Sequence, residues 1–250
     1  MVRVALERDV LTGVYEGGFK VWECAIDLVQ YLTLRDIGQQ WKDAVVIEAG
    51  CGVGLPAIYA LQMGASAVYF QDLNREVLER STKAAVALNA RTKEEMERWC
   101  GGGGGGGGSK GEDGVARFVA GDWDLWHECH HAEQGGVDVI LSTDTLYATP
   151  QIEKLARLLH RLLRRRTVEA CAYVAAKRYY FGTDGGTYAF ERVLSQLEDV
   201  ADCDDESGVR RLVLRAKVVH SIVDSASNIR DVLLVTWCER ELHDMEESGK

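Results

Sequence analysis

Three glycines at alternate positions, Gly50, Gly52 and Gly54, follow the apolar run Val45-Val46-Ile47, with Glu48 two residues before the first of them. Glycine at this spacing lets the backbone turn tightly after a strand and approach a ligand at the carboxyl edge of a sheet. Asp72, after Gln71 at the end of the next apolar run, is placed like the acid that accepts hydrogen bonds from ribose hydroxyls. Two ligand classes fit. A dinucleotide site prefers GxGxxG, with its pyrophosphate on a helix N-terminus. The GxGxG spacing with a preceding acid suits S-adenosylmethionine (SAM), which has no phosphate and carries a sulfonium cation. The alternative is a glycine-rich strand-to-helix turn without a ligand.

Three further clusters carry residues able to do chemistry. Gly13 to Cys24 mixes glycine, aromatic and acidic residues ahead of the first strand, and Trp22 within it is either a site residue or a core anchor. Ser142-Thr143-Asp144-Thr145-Leu146-Tyr147 ends the fourth strand, where side chains face the ligand crevice of an open α/β sheet. Asp144 there could accept a proton, or it could cap the following helix. Lys177 to Gly186, with Tyr179, Tyr180, Phe181 and three glycines, reads as an aromatic wall on a tight loop, able to sandwich a planar group. His127, Cys129, His130 and His131 lie close together but lack a second ligand pair at zinc-finger spacing, so no metal site is expected. Arg164-Arg165-Arg166 reads as a solvated helix terminus, its cations opposing the helix dipole.

These clusters need a scaffold, and the apolar pattern supplies one. Strand-like runs at Val45–Ile47, Ala67–Phe70, Arg117–Ala120, Val137–Leu141 and Ala170–Ala176 alternate with helical stretches at Leu55–Met63, Arg75–Asn89, Ile152–Arg165 and Tyr188–Leu197. That alternation predicts βαβ units and a doubly wound α/β sheet. Leu212–Val219 and Val232–Trp237 follow without a full helix between them, which predicts a closing antiparallel hairpin in a mixed sheet. Residues 44–250 are expected to form the main domain, with 1–43 an N-terminal extension and helix contributing to the ligand site. The glycine run Gly101–Gly108 and its polar continuation have no side chains to bury, so 100–114 is expected to be a flexible insertion.

The 250 residues, 46% hydrophobic with only two prolines, fit one packed α/β domain. No apolar run approaches the ~20 residues of a membrane span, and Met1 to Asp9 lacks a signal peptide's apolar core, so a cytoplasmic protein is expected. Seven dispersed cysteines without a CxxC pair are expected to be reduced and mostly buried. A formal charge of −10 disfavours non-specific nucleic-acid binding. Nothing in the sequence argues for an oligomer, and a monomer is expected.

Together the four clusters resemble the protein-histidine methyltransferase family, the methyltransferase-like eighteen group. The resemblance runs from about Asp9 to Gln196, interrupted by the glycine insertion. It rests most specifically on Tyr15-Glu16-Gly17-Gly18-Phe19-Lys20-Val21-Trp22-Glu23-Cys24 and on the Tyr180-Phe181-Gly182 loop with its Gly185-Gly186 pair. It implies a seven-strand class I fold with a reversed last strand. It also implies SAM contacts from Val21, Trp22, Glu23, Cys24 and Ala25, from Gly50, from Gln71, Asp72 and Leu73, from Asp122 and Trp123, and from Thr143. Glu48 and Gly52 join this set as parts of the glycine turn. The implied reaction moves a methyl group to a ring nitrogen of histidine in a large-subunit ribosomal protein, with nuclear entry expected if the target is a ribosomal precursor. Imidazole, with an unperturbed pKa of ~6.5, needs orientation more than a strong base. Asp144 is the candidate to fix its tautomer, with Tyr179 or Tyr180 to hold the ring. Two features depart from the family pattern: Glu48 stands where Asp is more usual, and Asp144 where Glu is frequent. Asp144-Thr145-Leu146-Tyr147 also looks like the DxxY signature of related protein-lysine methyltransferases. Lysine transfer and a non-catalytic SAM-fold module are the remaining alternatives.

Overall fold

A computed structural model of the chain describes residues 17–101, 114–128, 136–165, 170–197, 200–204, 208–224 and 228–239. The expectations for Gly13–Glu16, for most of the glycine insertion and for Cys129, His130 and His131 fall outside them.

Parallel strands β1 (Val45–Ala49), β2 (Ala67–Asp72), β3 (Ala116–Ala120), β4 (Val139–Thr143) and β5 (Cys171–Lys177) form the body of the sheet. Strand β6 (Val200–Asp204), the long β7 (Gly208–Ile222) and β8 (Arg230–Glu239) complete the order β3-β2-β1-β4-β5-β8-β7-β6. β8 runs antiparallel to both β5 and β7, which is the reversed strand expected from the two closely spaced C-terminal runs. The seven expected strands are all present. β6 is an eighth, paired antiparallel with β7 alone. Its sequence Val-Ala-Asp-Cys-Asp has low strand propensity, and edge pairing to β7 makes it a strand.

Among the described residues the α-helices are α1 (Glu23–Leu34), α2 (Leu55–Gln62), α3 (75–89), α4 (Lys93–Cys100), α5 (Thr149–Leu162) and α6 (Thr187–Ser195), with short 3-10 turns at Ile37–Trp41 and Trp123–Glu128. α3 widens into a π-helical turn at Leu78–Thr82. None of the described helices is long and apolar enough to cross a membrane. α5 and α6 pack on one face of the sheet through Ile47, Ile140, Val174, Leu155, Leu159 and Phe190. α1 to α4 cover the other through Val46, Phe70, Leu141, Leu28, Ile58 and Trp99. Neighbouring strand residues such as Val46 and Ile47 thus bury into opposite layers, which is why these strands read as unbroken apolar runs. Arg164, expected to be solvated, instead folds back to pair with Asp138 ahead of β4, and Arg165 lies over the Trp237 ring.

Candidate active site

The carboxyl ends of β1 to β4 open onto one cleft, and the glycine turn forms its floor. Gly50, Gly52 and Gly54 have φ of 70°, 51° and 87°, where a side chain is strained. A Cβ on Gly50 would stand 2.9 Å from Thr145 Cγ2, and one on Gly54 would stand 2.8 Å from the Phe70 ring. Gly52 meets the Gly18 backbone, so the glycine pair of the leading segment closes against the glycine turn. Thr82, on the π turn of α3, donates to the Gly52 carbonyl at 2.6 Å and holds the turn from behind.

Glu48 lies beneath this turn and does not line the cleft. It is fully buried, and its Oε2 accepts from Ala57 N at 2.9 Å in the first turn of α2. The helix needs that acceptor because its N-cap, Gly54, has no side chain. Burial pushes the Glu48 carboxyl well above its usual range.

Two side chains at the end of β2 tie the cleft walls together. Gln71 Oε1 accepts from Gly50 N at 3.0 Å and from Trp123 Nε1 at 2.5 Å, while its Nε2 donates to Gly121 O at 2.7 Å. One amide thereby joins the glycine turn to the loop after β3. Asp72 accepts from Gly52 N at 3.0 Å and from Asn74 N at 2.9 Å. Leu73 follows on the cleft wall, and Asp122 and Trp123 stand opposite. Asp122 pairs with Lys154 of α5 and accepts from Asp124 N, and these partners hold its carboxyl below the usual range against the cost of burial.

The remaining wall comes from the start of α1 and the end of β4. Val21, Trp22 and Ala25 line the cleft, as do Thr143 and Asp144. Asp144 takes a left-handed backbone, φ 54°, and aims both oxygens at partners. Oδ2 accepts from Cys24 N at 3.0 Å, and Oδ1 accepts from the Tyr180 hydroxyl at 2.9 Å. Burial raises the Asp144 carboxyl above the ordinary value, opposed by the hydrogen bonds from Cys24 and Tyr180. Tyr180 itself is pushed well up by burial and by the Asp144 charge, so it stays a donor.

The structure does not bring every predicted residue to the cleft. Cys24 is buried behind Asp144 and contributes its backbone N–H. Glu23 points away to Lys177 at 3.2 Å. Tyr179 is exposed and packs against Tyr188, with ring centroids 5.7 Å apart. Conversely, the cleft includes Gln151 and Lys154, which sequence reasoning did not single out, and Lys20 and Tyr147, which it named only as members of their clusters. Lys20 lies over the Trp22 ring at 4.6 Å, and Gln151 Oε1 is buried without a hydrogen-bond partner among the described residues. Gln151 and Lys154 are one helical turn apart at the start of α5, the one signal that could have marked them as a pair.

No family model matches the chain. A "Histidine protein methyltransferase 1 homolog" of Dictyostelium discoideum is 36% identical over 228 residues, covering 91% of this chain and 60% of that protein. The Bos taurus protein of the same description is 31% identical, covering 75% of this chain and 51% of its own length. The chain thus spans about half to three-fifths of the curated relatives it matches. Among solved structures, a presumed methyltransferase from Streptococcus mutans in complex with SAH superposes with a TM-score of 0.52 at 11% identity, covering 87% of this chain and all of that one. A presumed SAM-dependent methyltransferase of the same species superposes with a TM-score of 0.55 at 10% identity, covering 86% of this chain and 49% of its own. The chain is a homologue of the histidine protein methyltransferases and has the class I methyltransferase fold.

Proposed function

We propose that the protein is a SAM-dependent methyltransferase acting on a histidine side chain of another protein. The observation that carries this reading is the cleft itself. It gathers the glycine turn, the β2-end acid, Trp123 and Asp144 at the carboxyl edge of a methyltransferase sheet, and the part-buried Tyr180 hydroxyl reaches Asp144 from outside the lining. The residues fit SAM. The Gly50 backbone leaves an uncluttered floor where a Cβ would collide with Thr145, and Asp72 offers a carboxylate for ribose hydroxyls. Lys154 is paired with Asp122 and Lys20 with Trp22, so the cleft's cations are engaged elsewhere than with a pyrophosphate.

SAM supplies an electrophilic methyl group on a sulfonium. The protein's part is to orient the acceptor. A neutral imidazole presents one bare nitrogen and one N–H, and the N–H must be held for the other nitrogen to point into the cleft. Asp144 has lone pairs left after binding Cys24 N and Tyr180. Its fixed carboxylate accepts that N–H and faces the positive charge that develops on the ring. Burial makes it a better proton acceptor than a free carboxylate, and Tyr180 Oη keeps Oδ1 from rotating away. Histidine needs no deprotonation before attack near neutral pH, which matches a cleft whose acids are all held by partners.

A large-subunit ribosomal protein is the proposed target class, supported by the match of the leading segment and of the Tyr-Phe-Gly loop to the histidine-modifying family. The test is to incubate purified protein with labelled SAM and unmethylated ribosomal proteins, then locate the methyl group by mass spectrometry. Methylhistidine on a large-subunit protein is the expected result. Methyllysine would overturn the acceptor assignment, and SAM binding without any transfer would overturn the enzyme.

A further inference from the structure

The chain between β5 and α6 forms a loop whose two stems converge on one carboxylate. Asp231, the second residue of β8, is 1% exposed. Arg178, at the start of the loop, gives it a two-pronged pair, Nε to Oδ2 at 2.9 Å and Nη2 to Oδ1 at 2.8 Å. Thr187, the first residue of α6 and the end of the loop, donates its hydroxyl to Oδ2 at 3.2 Å. Ser221, directly opposite on β7, donates to Oδ1 at 2.6 Å. Four donors fill the roughly four acceptor sites of a carboxylate. Backbone bonds reinforce both stems, from Arg178 N to Ile229 O and from Gly186 N to Leu146 O, each 2.8 Å. Between the stems lies Tyr180, whose hydroxyl meets Asp144 in the cleft.

We propose that Asp231 is a positioning residue for methyl transfer: by binding Arg178 and Thr187 together it fixes the loop that delivers Tyr180 to Asp144. The proposal rests on the histidine methyltransferase reading. Asp231 does not line the cleft, so it acts only through the loop. An eight-residue connection with one loose stem samples many conformations, and a displacement of about 1 Å at a catalytic contact can cost on the order of 100-fold in rate. The elements that would hold SAM, at the ends of β1, β2 and β3, make no bond to Asp231 among the described residues. Loop placement and SAM binding are therefore separable.

The test compares Asp231→Asn and the milder Arg178→Lys with the wild-type chain, using labelled SAM and unmethylated large-subunit ribosomal proteins. SAM affinity is measured separately by calorimetry, and backbone exchange by mass spectrometry. For Asp231→Asn, turnover should fall at least tenfold with the SAM dissociation constant within twofold. Amides 179–186 should exchange at least tenfold faster while those of β1 and the glycine turn are unchanged. Adding Tyr180→Phe to Asp231→Asn should cost less than a further twofold, because the hydroxyl has already lost its place. Arg178→Lys keeps the charge but loses the fork, and should show the same pattern more weakly. Wild-type turnover in Asp231→Asn, unchanged loop exchange, or equal losses from Tyr180→Phe in both backgrounds would each overturn the proposal. The exchange and calorimetry arms read the clamp without any acceptor. A wild-type chain that transfers no methyl group counts against the histidine reading instead.

Discussion

Asp144 occupies a left-handed backbone that few non-glycine residues adopt, and both of its oxygens are bonded before any substrate arrives. Aspartate tolerates this conformation better than most residues, and such strain concentrates at sites the surrounding structure over-determines. Asp144→Asn keeps the shape and one acceptor but removes the charge that the proposed mechanism sets against the acceptor ring. Turnover should fall at least tenfold, about 1.4 kcal/mol of transition-state stabilisation, with SAM affinity changed less than threefold. Steady-state kinetics with SAM binding measured separately checks this, and equal losses in both quantities would place Asp144 with the cofactor instead. Gly50→Ala is the opposite case. Its Cβ meets Thr145 at a strained φ, so SAM affinity should weaken more than tenfold. Calorimetric titration with SAM reads this directly.

At the scale of elements, two of the helices that begin at the carboxyl edge without a side-chain cap of their own are served by strand-end acids. α1 starts after Trp22 and α2 after Gly54, and neither residue supplies a side-chain acceptor. Strand-end acids stand in: Asp144 from β4 receives Cys24 N, and Glu48 from β1 receives Ala57 N. Glu48→Gln keeps an acceptor for Ala57 and removes the cost of burying a carboxylate, so at pH 7 it should be at least as stable as the wild type. Glu48→Leu strands a buried N–H and should cost about 1–3 kcal/mol. Urea denaturation of the pair separates the cap from the charge. The pH dependence follows from the raised carboxyl. A folded value above the unfolded one means that ionised Glu48 costs stability. The wild type should therefore gain on Glu48→Gln as pH falls through the folded value, with the gain complete at the unfolded value near 4.3.

Across the whole molecule, two apolar layers sandwich the sheet and take the thiols with them. Cys24, Cys51 and Cys171 are buried, with burial pushing the Cys171 thiol up to about 12, whereas Cys100 is exposed. Thiolate is the reactive form, so iodoacetamide at pH 8 should modify Cys100 in the native protein and spare the other three until denaturant is added. Peptide mapping reads this, and native labelling of Cys171 would contradict the packing of β5. The chain's order of elements was legible from residue types. Parallel strands buried on both faces must be apolar throughout, positive φ demands glycine, and an acid at a strand end stands out against an apolar run. Hence β1 to β5, β7, β8 and the turn at Gly50–Gly54 could be read directly. β6 and the π turn in α3 could not, because an edge pairing and a packing contact outweigh weak local preference there. The functional geometry was divided the same way. The sequence by itself determined which backbone can come close to a ligand and which edge of the sheet holds it, because chirality and apolar periodicity act locally. Only the tertiary structure decided that Gln71 joins the walls, that Glu48 turns under the floor, and that Asp144 serves α1 and Tyr180 together. Those bonds link residues 9 to 120 positions apart, and no local pattern encodes a hydrogen bond that exists only once the chain has closed around it.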